Sequence, residues 1–161
     1  MAPGTDSDIP GGLPARLLAR TAAVGDLVRE TRDGPWRVEV AEDSMRPTLE
    51  PGDWLLVDPT IHVWPKRGSI VVIEEPDSDV LAIKRVVARP GDVIRTTEGP
   101  IRLGRGEAWL LGDDRAVSHD SRSYGPVGLD RLVARAWFRY GPRGRTGRLE
   151  RITGSAGAGP G

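Results

Sequence analysis

Two side chains of this sequence are of the right type, in the right surroundings, to do chemistry together. Ser44 opens the run Ser44-Met45-Arg46-Pro47-Thr48-Leu49, where a strand gives way to a turn because Pro47 cannot continue a ladder. A serine at such a corner can offer its hydroxyl as a nucleophile. Lys84 lies inside the apolar stretch Ala82-Ile83-Lys84-Arg85-Val86. A lysine among apolar walls can give up its proton and act as a base. Each residue also has a plainer reading, since a serine at a strand end forms turns and a strand lysine can point to water. A third segment, Gly112 to Val127, holds Asp113, Asp114, Ser118, His119, Asp120 and Arg122. It is too polar for core and too rich in paired charges for an ordinary loop. Its contiguous Ser118-His119-Asp120 is not a hydrolytic triad, because triads are assembled in space and chain neighbours point apart. His119 and His62 are expected on the surface.

The elements that must carry these residues read as β-strands. From Trp36 onward the period changes to two: Arg37 to Val40 alternates, and Trp54 to Val57, Ile70 to Ile73 and Val80 to Ile83 are short apolar runs rich in β-branched residues. Val86-Val87, Asp92 to Ile94, Ala108 to Leu111 and Leu132 to Tyr140 follow. Turn signals such as Pro51-Gly52-Asp53, Pro90-Gly91-Asp92, Gly99-Pro100 and Gly125-Pro126 separate them. Many short strands at this spacing predict an all-β, mostly antiparallel barrel or sandwich. Upstream, Leu17, Leu18 and Ala22 among arginines predict a short amphipathic helix over 14–23 that ends before Gly25.

Composition sets the domain organisation. The chain has 161 residues with 21 glycines and 14 prolines, unevenly placed, with Pro10 to Pro14 and Gly154 to Gly161 among the densest stretches. Residues 1–35 are read as a flexible N-terminal tail with the short helix, 36–142 as the catalytic domain, and 143–161 as a basic and then Gly/Ala-rich flexible tail. Twenty-three basic residues balance 23 acidic ones, so no net field draws the chain to nucleic acid. Two histidines and no cysteine argue against a metal site, and no cofactor is expected. No run of about 18 apolar residues occurs, and Asp6 and Asp8 stand where a secretory signal would be basic and then apolar. The expectation is a cytoplasmic protein without a transmembrane anchor, with at most a weak membrane-surface contact.

Taken in order, the motifs resemble the type I signal peptidases. That family shows Ser-Met-x-Pro-Thr-Leu with Gly-Asp following, then Arg-Gly-Asp-x-Val-Val, Lys-Arg-Val with Pro-Gly-Asp, Gly-Asp-Asn, Ser-x-Asp-Ser-Arg and Gly-Pro-Val. Here the series is Ser44 to Leu49, Gly52-Asp53, Arg67 to Val72, Lys84-Arg85-Val86, Pro90-Gly91-Asp92, Gly112-Asp113-Asp114, Ser118 to Arg122 and Gly125 to Val127. The resemblance implies a serine endopeptidase that removes an N-terminal leader from a precursor. Ser44 would be the nucleophile, with its backbone N–H as oxyanion donor, and Lys84 the base. Ser118 would orient Lys84, and Asp120 with Arg122 would form a structural ion pair. A free lysine titrates near ~10.4, so the base needs apolar walls, which Ile83, Val86 and Val87 could supply. The precursor segment would bind as an added strand, its small side chains in pockets matched here by Val38, Val40, Met45, Leu49 and Ile83.

Two positions depart from the pattern. Glu42 stands where relatives often carry a serine that helps hold the oxyanion. Strand alternation would put its carboxylate on the Ser44 face unless it turns to an arginine such as Arg46. Asp114 replaces an asparagine, which is expected to be a loop adjustment. The compact form and the Arg135-to-Pro142 ending resemble the peptidases that trim the nickel superoxide dismutase precursor. Two rivals share some of the features: a catalytically weak or dead peptide-binding β module, and a self-cleaving repressor-like Ser/Lys protease.

Overall fold

The computed structural model describes residues 37–78 and 80–149. Among these residues ten strands run antiparallel: β1 (Arg37–Glu39), β2 (Trp54–Asp58), β3 (Ile70–Glu74), β4 (Leu81–Ala88), β5 (Val93–Thr96), β6 (Gly99–Arg102), β7 (Glu107–Leu111), β8 (Val127–Gly128), β9 (Leu132–Gly141) and β10 (Gly147–Arg148). The main sheet has the order β1-β2-β9-β3-β4-β7-β8, with β10 added to β9 and β5–β6 as a separate hairpin. The helical turn α1 (Ser121–Tyr124) joins β7 to β8. The expected all-β, antiparallel class is thus the observed one. The helix expected over 14–23 lies outside the described residues.

Successive residues of a strand face opposite sides, so the β-branched run of β3 is buried on both. Ile70 and Val72 join Val38, Met45, Leu49, Leu55 and Ile83 in one apolar cluster. Val71 and Ile73 join Trp64, Ala82, Val86, Leu110 and Val127 in another. Full burial of such side chains contributes about 1.5–3 kcal/mol each. The central sheet therefore stands between two cores, and whatever β4 carries between them is held rigidly.

The two Pro-Gly-Asp turns share one construction. Gly52 and Gly91 take φ +89° and +88°, which an L side chain rarely adopts. In each turn the aspartate folds back onto the backbone: Glu50 N donates to Asp53 Oδ2 at 3.0 Å, and Arg89 N to Asp92 Oδ2 at 2.7 Å. Asp53, only 1% exposed, also accepts from Arg139 Nη1 and Arg145 Nη2, each at 3.1 Å.

That last contact comes from beyond Pro142. The segment from Arg143 was expected to be a solvated tail. Instead Gly147 and Arg148 pair with Arg139 and Phe138, and Leu149 packs on the first core cluster. A buried carboxylate needs a counter-charge, and Arg145 supplies one to Asp53 while its other nitrogen meets Glu50 at 2.5 Å.

Candidate active site

Three segments converge on β4. β1 ends at Glu39, and the chain then turns through 42–49, held by Arg46 N to Asp43 O (3.0 Å) and Leu49 N to Met45 O (2.9 Å). This turn presents Ser44. β4 presents Lys84, and the loop after β7 runs beneath both. Ser44 is 7% exposed and Lys84 only 1%. Lys84 Nζ lies 3.5 Å from Ser44 Oγ and 3.7 Å from Glu75 Oε1. A lysine amine and a serine hydroxyl at this separation, shut away from water, are within the looser range expected of a nucleophile and base without substrate.

The supporting shell is built of motif residues that meet in space. Arg85, next to Lys84, grips Asp113 with both arms of its guanidinium (Nε–Oδ1 2.7 Å, Nη2–Oδ2 2.6 Å) and donates to Gly68 O at 2.7 Å. Thr48 Oγ1 donates to the same Asp113 carboxylate at 2.5 Å. The nucleophile turn, the lysine strand and the Gly112–Asp114 loop are thereby tied to one another. Asp114 N donates to Ser44 O at 2.9 Å, and Asp114 Oδ1 accepts from Ala116 N at 3.1 Å, so Asp114 shapes the loop. Gly112 leaves no room for a side chain: a Cβ there would sit 2.6 Å from Ser44 O and 2.1 Å from Ser118 Oγ.

Asp120 and Arg122 form an ion pair through two contacts, Nε–Oδ1 at 2.9 Å and Nη2–Oδ2 at 2.7 Å. Asp120 caps α1 by accepting from Arg122 N at 3.2 Å, and it accepts from Gly112 N at 3.0 Å. Burial alone would raise its pKa. The Arg122 guanidinium, the Gly112 and Arg122 N–H groups and the nearby Ser118 hydroxyl more than offset this and hold it at about 2.

Several expected placements differ. Ser118 Oγ makes no hydrogen bond to Lys84. It is buried against Gly112, on the Asp120 side of the loop, where Ser118 N donates to Asp114 O at 3.0 Å and Gly112 N to Asp120. The second partner of Lys84 is Glu75, which no motif in the sequence singles out. Glu42 is exposed, and Arg46 pairs with Asp43 at 2.7 Å instead. The strand has ended three residues earlier, so alternation no longer dictates where Glu42 points. Val38, Val40, Met45, Leu49 and Ile83 are between 0% and 4% exposed and belong to one core cluster rather than to open pocket walls. Of the three expected walls of Lys84, Val86 and Ile83 are buried while Val87 turns outward. His119 is half-exposed beside Asp77. Among the described residues no three His, Asp or Glu side chains converge as a metal site, and no helix is long and apolar enough to cross a membrane.

The family model "Signal peptidase, peptidase S26" matches residues 34–104 and 96–141. Mitochondrial inner membrane protease subunit 2 of Mus musculus is 37% identical, the match covering 70% of this chain and 71% of the relative. Mitochondrial inner membrane protease subunit 1 of Schizosaccharomyces pombe is 36% identical, covering 76% and 87%. Signal peptidase I of Leptolyngbya laminosa is 28% identical, covering 91% and 87%. Two of these three are named for a membrane, which overturns the cytoplasmic placement expected from the sequence.

Proposed function

The chain belongs to the S26 signal peptidases and is a serine-type endopeptidase, and from that premise we propose that it cuts the leader from a precursor protein through a dyad of Ser44 and Lys84. The observation that carries this reading is a buried lysine amine 3.5 Å from a serine hydroxyl. Lys84 takes the Oγ proton as Oγ attacks the scissile carbonyl carbon. The backbone N–H of Ser44 faces the developing oxyanion. The Lys84 ammonium then returns its proton to the departing amine, leaving an acyl-enzyme on Ser44. Water, deprotonated by Lys84, attacks the ester and restores the free serine.

The arrangement of the shell gives each remaining residue a part. Asp113, Arg85 and Thr48 fix the distance between nucleophile and base. Asp120 and Arg122 hold the loop that carries Ser118. The precursor segment adds along β1, which has β2 on one side and no other described strand on its outer edge, and which leads directly into the Ser44 turn. The catalytic domain takes in the described residues from Arg37 to Leu149. A narrower reading, supported by the Arg135-to-Pro142 ending, makes the substrate a nickel superoxide dismutase precursor.

Cleavage of a leader peptide by wild type, Ser44→Ala and Lys84→Ala tests the dyad. Activity should fall at least about a thousandfold in both variants with the fold retained. Full activity in either ends this reading. The purified superoxide dismutase precursor, offered to the same three proteins, tests the narrower one.

A further inference from the structure

The dyad accounts for one of the two partners of Lys84 and leaves the other without a role. Glu75 follows β3, whose Val71 pairs with Lys84 and whose Ile73 pairs with Ala82. One alternation further along, Glu75 falls on the same face as Lys84. Its backbone is fixed, since Glu75 N donates to Val80 O at 2.8 Å and closes the β3–β4 hairpin. Its side chain is fixed too: Oε2 accepts from Ser78 Oγ at 3.2 Å, which leaves Oε1 facing Lys84 Nζ at 3.7 Å. The two side chains are 12% and 2% exposed, so water screens this pair little. The charge of Glu75 also reaches the neighbouring loop. Burial, and then the carboxylates of Glu75, Asp120 and Asp77, push the Tyr124 phenol upward.

We propose that Glu75 is a positioning residue for the base, holding the Lys84 amine beside Ser44 and balancing the ammonium that forms there. The proposal rests on the Ser44–Lys84 reading. When the proton passes from Ser44 Oγ to Lys84 Nζ, a positive charge appears at a site almost closed to water, and a negative one on the substrate oxygen. A buried cation without a counter-charge is costly, and the Glu75 carboxylate is the acidic group in contact with Nζ. Glu75 itself gains and loses no proton in the cycle. It acts as the third member of a line, Ser44–Lys84–Glu75, in the way an aspartate steadies the imidazolium of other serine hydrolases.

The test is peptide cleavage by the full chain carrying Glu75→Gln, with kcat read at the top of its own pH profile. The glutamine keeps the shape and the Ser78 bond but removes the charge. The expected result is a kcat about tenfold lower or more, with KM within about twofold and an unchanged melting temperature. Glu75→Asp, which keeps the charge, should retain more kcat than Glu75→Gln. A Glu75→Gln enzyme with wild-type kcat overturns the proposal, as do equal losses in the two variants or a glutamine variant that does not fold. Lys84→Ala run alongside separates the two claims. If it is inactive while Glu75→Gln is fully active, Glu75 alone is removed from the mechanism; if it is active, the dyad falls and Glu75 with it.

Discussion

The guanidinium of Arg85 and the carboxylate of Asp113 meet fork to fork at 2.7 and 2.6 Å, across a gap in sequence that joins β4 to the loop after β7. Arg85 is 8% exposed, so its charge depends on this partner. The pair is a brace for the site: one end is bonded to the neighbour of Lys84, and the other accepts from Thr48 in the Ser44 turn.

Removing one half of such a brace should cost far more than the brace contributes. Asp113→Ala leaves a buried guanidinium unpaired, and about 3–5 kcal/mol of stability should be lost. Arg85→Lys should also be poorly tolerated, because an ammonium cannot make the paired contact. Urea unfolding of the two variants measures both. Losses within about 0.5 kcal/mol, the size of an ordinary surface change, would show that Arg85 finds another partner.

Asp120 gives a pH dependence with a defined sign. Its carboxyl titrates at about 2 in the fold and near ~3.9 when unfolded. The unfolded chain therefore binds the proton first as pH falls. The stabilisation is fully present above about pH 4 and is lost between about 4 and 2, on the order of 2 kcal/mol. Wild type should be more stable than Asp120→Asn at pH 6, with the gap narrowing as pH falls towards 2. A gap independent of pH would mean that the carboxylate charge is not what holds the loop.

Glu42 should prove kinetically quiet. It is exposed and stands outside β1, so its charge is screened from the dyad. Glu42→Ala should leave kcat/KM within about twofold and stability within about 0.5 kcal/mol. A large change in kcat on this substitution would place the carboxylate at the oxyanion after all.

The strand pattern was legible wherever burial was one-sided or complete, as in β2, β3 and β9. It failed where polar residues are buried for a reason beyond folding. Lys84 and Arg85 split the sequence pattern into Val80–Ile83 and Val86–Val87, yet β4 runs unbroken from Leu81 to Ala88, because both side chains have polar partners inside the protein. Gly99-Pro100 reads as a turn but begins β6, an arrangement open to a proline in a hairpin outside the main sheet. The arginines after 143 read as solvated because their partners, Asp53 and Glu50, lie far away in sequence.

The site divides along the same line. Ser44, Lys84, Asp113, Asp120 and Arg122 announce themselves through ordered motifs, each in a segment of unusual polarity. Glu75 does not, since a glutamate before Pro76 looks like any hairpin residue until the β3–β4 register turns it towards Lys84. Val38, Val40, Met45, Leu49 and Ile83 have the same chemistry whether they line a pocket or fill a core, and only their burial separates the two.

Mass spectrometry of the enzyme quenched during turnover of a leader peptide tests the central claim most directly. Peptide mapping should place an acyl adduct, equal in mass to the leader fragment, on the segment containing Ser44. Lys84→Ala and Ser44→Ala should form none. Turnover without any adduct on Ser44, or an adduct on another serine such as Ser118, would contradict the Ser44–Lys84 dyad.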